Sequence, residues 1–380
     1  MGLEMRWVGE GDLDRVAETR VLCYAHHRRD LPEWRQYIYN QGRSHPGDYL
    51  LAERDGRAVG TATSLRMTMW VRGSPVSCQG VAHVGTIKTE RRKGAASEDG
   101  VGTLLMREVL RMGREREHVI SGLMPWRASY YEHFGYGLVE RRAEWTIPLT
   151  LMPQEDCAGL RFMTNADKPA MAETRRRFEV RGQGNIQRCE GYWADYFLRK
   201  VEDGFIVVDP RPEGGLRGWM FYKHEIINGK DGLRVLDLDY DDAEALRRQL
   251  SFLSSLRDQY STAMLILPVD LPLNLLLKET QVPHRPVSHA VADLKLHTRM
   301  QARVLDHVKL LSAMNIPSRW KGSAVVEVRE TEGHAARFRI DIAEGKASAK
   351  ASNASADLLC SDKVWAAIVL GELAVATAVK

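Results

Sequence analysis

The 380-residue chain has little cysteine and no long apolar run, and each scarcity excludes a class of protein. Its five cysteines are odd in number and widely scattered, so they form neither a disulfide framework nor a metal-ligand cluster. No stretch reaches about 18 apolar residues without a charge, which excludes a transmembrane helix. The start of the chain lacks the apolar core of a signal peptide and the myristoylation pattern. We therefore expect a cytoplasmic protein without a metal centre.

Basic charge is neither abundant nor concentrated. The chain has 54 basic and 50 acidic residues, a net charge of +4, and its longest basic runs, residues 91–93 and 175–177, are three residues long. This argues against a nucleic-acid-binding face. We interpret the second run as a solvated helix face. Hydrophobic and charged contents of 44% and 27% are typical of a soluble folded chain.

The length of the chain predicts two or three domains, and we place the first at residues 1–152. A helical pattern follows Asp12, and residues 26–48 have the composition of a polar loop. Strands follow, and then a long helix from Val101. Alternating apolar residues at 143, 145 and 147 predict a strand that closes this domain. The pattern is that of an α/β (α+β) fold with a mixed sheet flanked by helices.

Two further domains follow, which we place at residues 153–295 and 296–380. The second repeats the helix and strand pattern of the first. In the third, Val304, Leu305, Val308 and Leu311 predict a helix, which alternating strands and two apolar helices follow. Since the last apolar helix ends without a polar cap, we expect the natural chain to continue beyond Lys380.

Residues 84–103 hold a strand, a basic glycine-bearing turn and the start of a helix. Glycines permit close backbone approach, and the free amides at the start of a helix attract a pyrophosphate. Arginines and lysines in the turn add positive charge. Composition alone leaves open a solvated basic hairpin.

Two motifs give this segment a context. Val84, Thr89, Arg91, Arg92 and Gly94 fit a Val-x-x-x-x-Thr-x-Arg-Arg-x-Gly pattern, and residues 130–137 read Tyr-Tyr-Glu-His-Phe-Gly-Tyr-Gly. In these motifs the chain resembles the GNAT N-acetyltransferases, and more closely their Eis-type branch. That resemblance implies two GNAT-like mixed-sheet domains followed by a sterol-carrier-protein-like α+β domain.

The resemblance also implies an acetyl-CoA site. The backbone of Val84, Gly85 and Thr86 would hold the pantetheine and the thioester carbonyl. The turn and the helix start would hold the pyrophosphate, through Arg91, Arg92, Lys93, Gly94, Gly100, Gly102 and Thr103. Trp126 and Arg127 occupy the place of a small polar pair that touches CoA in the family.

The resemblance makes Tyr131 the general acid that protonates the leaving thiolate. In the family the general base is the carboxyl terminus of the chain, and Lys380 does not match the aromatic residue expected there. His83 is a substitute candidate because an imidazole pKa near about 6.5 suits amine deprotonation. Strand alternation could instead turn His83 into the core, and water could relay the proton.

Two acidic segments bear on where CoA binds. Residues 95–99 look like an insertion, and we expect Glu98 and Asp99 to point outwards so that the helix start stays available. In the second domain the equivalent junction carries Asp237, Asp239, Asp241 and Asp242, which would repel a pyrophosphate. Helix capping and a solvated acidic turn explain these residues better than a divalent metal. We expect one CoA site per chain.

The expected function is acetyl transfer from acetyl-CoA to a primary amine of the aminoglycoside, polyamine or lysine type, by direct attack in a ternary complex. The resemblance further implies a homo-oligomer, a hexamer in the Eis-type branch. Two alternatives remain: a non-catalytic carrier of hydrophobic ligands, and a degenerate acetyl-CoA-binding sensor.

Overall fold

The computed structural model of the chain describes residues 2–40, 42–91, 99–197, 201–279 and 292–378. Its strands are β1 (Glu4–Trp7), β2 (Tyr49–Arg54), β3 (Arg57–Val71), β4 (Ser74–Thr86), β5 (Ile120–Leu123), β6 (Gly137–Leu138), β7 (Arg141–Pro148), β8 (Arg161–Phe162), β9 (Asn185–Ile186), β10 (Phe205–Pro210), β11 (Leu216–Ile227), β12 (Lys230–Tyr240), β13 (Thr262–Pro268), β14 (Asp293–Thr298), β15 (Gln301–Val304), β16 (Gly322–Arg329), β17 (Ala335–Ala343), β18 (Lys346–Ala351) and β19 (Leu358–Ser361). Its helices are α1 (Leu13–Tyr24), α2 (Leu31–Asn40), α3 (Val101–Glu115), α4 (Ala128–Glu132), α5 (Lys168–Arg181), α6 (Glu190–Asp195), α7 (Ala243–Ser255), α8 (His307–Ala313), α9 (Asp362–Val369) and α10 (Val375–Ala378). The fold is mixed α/β, as expected.

The chain forms two compact units. The first comprises Met1–Glu140, Gly182–Asp195 and Met300–Lys380, and the second comprises Arg141–Arg181 and Tyr196–Arg299. Residues 300–380, which we assigned from sequence to a third domain, group with the first unit in this division. The three-domain boundaries and the sterol-carrier-like assignment stay predictions.

The first unit is built on a sheet with the order β1-β2-β3-β4-β5-β15-β6, with β9 beside β3. Neighbouring strands are antiparallel except for the parallel pair β4 and β5, which α3 connects. One face of α3 supplies the core under this sheet, because Val101, Leu105 and Val109 are all buried there. This is the helix that the apolar spacing predicts.

The second unit has a sheet with the order β14-β7-β13-β12-β11-β10-β8. Read from β8, it repeats the arrangement of the first sheet, and its parallel pair is β12 and β13, which α7 connects. Leu246, Leu250 and Leu253 of α7 are buried in its core, as predicted.

The place of one strand corrects the sequence-based prediction. The alternation at Ala143, Trp145 and Ile147 correctly indicates a strand, but β7 lies between β13 and β14 in the second sheet. The equivalent place in the first sheet is taken by β15, from the far end of the chain. Alternation reports a half-buried strand and carries no information about which sheet the strand joins.

Three local predictions also change. The segment predicted as a loop over 26–48 contains α2, and Val304 ends strand β15 while the predicted helix begins later, at His307. The arginines at 175 and 177 are paired with aspartates, so only part of that helix face is solvated.

The remaining part of the first unit forms a four-stranded sheet with the order β18-β17-β16-β19. Its alternating residues, among them Val326, Val328 and Phe338, are buried in a core with Trp365 of α9. Among the described residues, no helix is both long and apolar enough to cross a membrane.

Candidate active site

Strand β4 contains a bulge at the predicted site. Its pairing with β3 steps from Thr63–Ala82 to Thr61–Gly85, so two residues of β4 oppose one residue of β3. The first extra residue, His83, has a φ of 52°, in the left-handed region. Because a bulge bends its strand and re-aims the side chains, β4 changes direction just before the residues predicted to hold the thioester.

Strands β4 and β5 part before the bulge is reached. The two parallel strands pair over Cys78–Gly80, and among the described residues the pairing does not continue. Val84 and Thr86 are half-buried on the open side, and Gly85 is buried. Since main-chain amides along a parted strand need other partners, this side can offer donors to a carbonyl oxygen.

The start of helix α3 lies next to the end of β4. The N-cap of α3 is Gly100, which has no side chain that could accept from the first-turn amides. A methyl group on Gly102 would be 2.8 Å from the hydroxyl oxygen of Tyr130 and 3.8 Å from Oγ1 of Thr86. The end of β4, the start of α3 and helix α4 therefore converge here, and the first-turn amides of a 15-residue helix favour an anion.

Tyr131 lies in α4, where its ring packs edge-on against Tyr130 and Tyr136 at centroid distances of 5.0 and 6.3 Å. Burial raises its pKa above the usual value. The phenol therefore remains protonated at neutral pH, which a proton donor requires.

The basic turn is described only in part. Arg91 donates to the carbonyl oxygens of Thr86 at 3.3 Å and of Cys23 at 3.2 Å, so it braces the turn against α1. Arg92, Lys93 and Gly94 lie outside the described residues, as does most of the insertion. Asp99 forms an ion pair with Arg107 on the exposed face of α3. The predicted contacts of this turn with the pyrophosphate stay predictions.

Trp126 and Arg127 lie on the connection from β5 to α4. The Trp126 side chain is 98% exposed. Arg127 is exposed as well and precedes α4 without capping it through its side chain. Both immediately precede α4, the helix that contains Tyr131. Their contact with CoA stays a prediction.

His83 lies in an aromatic pocket formed with Tyr24, Trp34 and Tyr37, at ring centroid distances of 6.5, 6.1 and 5.8 Å. Burial, followed by the positive charges of Arg20 and Arg43, lowers the pKa of His83 to about 3. An imidazole with this pKa is a weak base, so His83 lacks the pKa that would suit deprotonation of an amine. The environment disfavours the predicted base role.

Four buried polar groups around the bulge have no hydrogen-bond partner for at least one atom. They are Nδ1 of His83, the hydroxyls of Tyr24 and Thr61, and two nitrogens of Arg20. The third guanidinium nitrogen of Arg20, Nη2, donates to Oγ1 of Thr63 at 2.8 Å. Such groups cost free energy unless they are satisfied. These four groups lie together beside the strand that is predicted to hold the thioester.

The ring of Tyr24 lies against β4 at Gly85. A Cβ on Gly85 would lie 2.6 Å from Cζ of Tyr24, so this ring covers the strand predicted to hold the thioester. The sequence motifs do not include Tyr24 or the residues of α2. The spacing of Leu31, Trp34 and Ile38 was an available signal for that helix, since it places three apolar residues on one face.

At the equivalent junction in the second unit, aspartates cap the helix or pair with arginines. The carboxylate of Asp242 caps α7 by accepting from the Ala245 amide at 2.8 Å. Asp239 pairs with Arg175 at 2.7 Å, and Asp241 pairs with Arg177 and Arg211. The described residues contain no group of three or more His, Cys, Asp or Glu side chains that could hold a metal ion.

Two family models match the chain. Residues 4–139 match an acetyltransferase (GNAT) domain, and residues 184–304 match a second model with the same description. Together they span more than half of the chain. No curated protein sequence matches it.

Solved structures have the same fold. A GCN5-related N-acetyltransferase from Anabaena variabilis superposes with a TM-score of 0.79 at 19% identity, covering 96% of this chain and 89% of its own. Eis1 from Mycobacterium abscessus gives a TM-score of 0.76 at 20% identity, covering 97% and 90%. A GCN5-related N-acetyltransferase from Kribbella flavida gives 0.75 at 21%, covering 98% and 89%. These likenesses concern the fold. With its two GNAT domains, the chain belongs to the GNAT N-acetyltransferases, enzymes that use acetyl-CoA as cosubstrate, and it has an Eis-like fold.

Proposed function

We propose that the first unit transfers acetyl from acetyl-CoA to a primary amine of the aminoglycoside, polyamine or lysine type, by direct attack in a ternary complex. The observation that carries this proposal is the convergence of three elements: the open side of β4, the start of α3 at Gly100, and helix α4, which carries Tyr131. Amide groups at the two ends of this cleft suit a thioester carbonyl and a pyrophosphate.

Each step of the reaction has a candidate group. Main-chain amides of residues 84–86 would polarise the thioester carbonyl. The amine nitrogen attacks the carbonyl carbon, so a C–N bond forms and the C–S bond breaks. Tyr131 gives its proton to the departing sulfur, and the proton lost by the amine passes to water. A tyrosine kept neutral by burial supports this assignment.

The aromatic pocket around His83 supports an amine acceptor. The Nδ1 of His83 and the hydroxyl of Tyr24 have no hydrogen-bond partner, so they would accept from an N–H group that entered this aromatic cluster. The positive charges of Arg20 and Arg43, which lower the pKa of His83, would also lower the pKa of an ammonium group bound beside it. The site thus favours the uncharged amine that attacks.

The Tyr131→Phe variant tests the mechanism. We expect kcat to fall by roughly 10²- to 10⁴-fold, as for a lost general acid, with little change in the Kd for acetyl-CoA, because the ring and its packing remain. Steady-state kinetics and calorimetry measure the two quantities. A variant that keeps the full rate would remove Tyr131 from the mechanism.

The acceptor class needs a separate assay. Turnover of acetyl-CoA with aminoglycosides, polyamines and lysine peptides should reveal an accepted amine. Acetyl-CoA binding without turnover on any of these would favour the sensor, and absence of acetyl-CoA binding would favour the carrier. The Eis-type resemblance also supports a cytoplasmic homo-oligomer, whose size sedimentation would measure.

A further inference from the structure

Strand β15 holds the segment that carries Tyr131. Gln301 and Arg303 of this strand have fully buried side chains. The Gln301 side chain donates to the carbonyl oxygens of Ala128 at 3.3 Å and Tyr136 at 3.5 Å, and Arg303 donates to that of Phe134 at 2.9 Å. Ala128 is the first residue of α4, so these two side chains hold the segment on both sides of the proposed general acid.

The turn that Arg303 holds is tied directly to Tyr131. The carbonyl oxygen of Tyr131 accepts from the amides of Phe134 at 2.9 Å and Tyr136 at 3.3 Å. Two hydrogen bonds therefore lead from the guanidinium of Arg303, through the backbone of Phe134, to the carbonyl group of Tyr131. A shift of the guanidinium would move that backbone and the phenol it carries.

Arg303 is itself fixed by carboxylates from the C-terminal part of the first unit. It donates to Glu332 at 2.6 Å and to Glu330 at 2.8 Å, and Asp362 lies 4.0 Å away. Asp362 also accepts from the amide of Thr331 at 2.8 Å, which joins the turn after β16 to the start of α9. A buried guanidinium needs such partners, and three carboxylates hold it in one orientation.

The turn packs tightly onto this network. Gly135 has a φ of +77°, and a Cβ there would collide with the carboxylate of Asp362 and lie 3.2 Å from Nε of Arg303. Glycine permits both the backbone conformation and the close approach. The contact leaves little freedom for the turn between Tyr131 and β6.

We infer that Arg303 is a positioning residue for the Tyr131 phenol, and that the carboxylates of Glu330, Glu332 and Asp362 in the C-terminal part of the chain fix it in that role. This inference rests on the proposed function, because it requires Tyr131 to be the proton donor. By this inference, the region after residue 300 contributes to the reaction as well as supplying strand β15 of the sheet.

A double-mutant cycle tests the inference. We expect Arg303→Met to lower kcat by roughly 10- to 100-fold through misplacement of the donor, with the Kd for acetyl-CoA nearly unchanged. In a Tyr131→Phe background, the same substitution should lower kcat no further, because the group that it positions is gone. An effect of Arg303→Met that is equally large in both backgrounds would overturn the inference.

Control variants separate positioning from folding. Arg337 pairs with Glu327 across strands β16 and β17 of the four-stranded sheet, so Arg337→Met should leave kcat unchanged. If Arg303→Met does not fold, Glu332→Gln, at a position whose side chain is 34% exposed, enters the cycle instead. A full rate in Tyr131→Phe alone would overturn the proposed mechanism. A large loss there, combined with an additive effect of the second substitution, would overturn only the role of Arg303.

Discussion

The two strand-to-helix junctions of the chain have one topology and opposite chemistry. In the first unit, the N-cap of α3 is Gly100, which provides no side-chain acceptor for the first-turn amides. In the second unit, Asp242 caps α7 and accepts from the Ala245 amide. An incoming phosphate would meet no N-cap side chain at the first junction and a fixed carboxylate at the second.

The charges around the second junction complete this difference. Arg175 and Arg177 of α5 neutralise Asp239 and Asp241. Although burial raises the pKa of Asp241, the hydrogen bonds from Arg177 and Arg211 hold it below the usual value. A fold repeated within one chain can therefore have one suitable site, since a few side chains decide whether the start of a helix remains available.

The largest effect expected from the comparison is on stability. Replacing Arg175 by methionine leaves the fully buried carboxylate of Asp239 without this partner. Breaking such a buried pair should cost about 3–5 kcal/mol of unfolding free energy, and we expect kcat and the acetyl-CoA affinity of the folded protein to remain unchanged. Denaturant titration measures the first quantity and steady-state kinetics the second.

Arg176 provides the matched control for that prediction. It pairs with Glu173 on the solvent side of the same helix, and both side chains are about half exposed. Arg176→Met should leave stability unchanged, since exposed pairs contribute little. A loss of acetyl-CoA binding in folded Arg175→Met would contradict the assignment of the second junction to structure alone.

Exchange of the cap tests the difference between the junctions directly. Gly100→Asp gives α3 the cap residue of α7, and the space beside Gly100 is open. We expect acetyl-CoA affinity to fall by roughly 10- to 100-fold through repulsion of the pyrophosphate, while the helix is not weakened. Calorimetry measures the affinity.

The uncharged variant separates charge from shape. Gly100→Asn adds a side chain of the same size that also caps a helix, so it should retain most of the affinity. Equal losses in the aspartate and asparagine variants would show that bulk, and not charge, matters at this position. Unchanged affinity in both would place the pyrophosphate elsewhere.

Local patterns predicted much of this fold. The apolar spacing of α3 and α7 and the aspartates at the second junction could be read directly, because a helix face and a cap depend on neighbours within a few residues. The exchange of β7 and β15 between sheets could not, because strand pairing over such sequence separations leaves no local signal.

The candidate site was predictable to a similar extent. The motif predicted the strand and Tyr131 as parts of one site, and the structure places the end of that strand beside α4, the helix that carries Tyr131. The turn lies largely outside the described residues. The motif did not reveal that Arg91 braces the turn, or that Arg303 approaches from a distant strand, since both depend on tertiary contacts. It also could not reveal the environment of His83, because the positive charges that act on it come from α1 and the segment after α2.

The smallest effect concerns His83 and the acid side of the stability curve. In the unfolded chain its pKa is near about 6.5, and in the folded chain it is about 3. As the pH falls below about 6.5, the unfolded chain gains a proton that the folded chain does not, so stability is lost as the pH approaches 3. His83→Phe keeps the aromatic packing and removes this loss, and at pH 5.5 it should preserve about 1 kcal/mol relative to the parent.

Urea titrations from pH 7 to 5 compare His83→Phe with the parent. If His83→Phe lost stability on acidification as steeply as the parent, His83 would be protonated in the folded chain. The base role, which the pocket argues against, would then be open again.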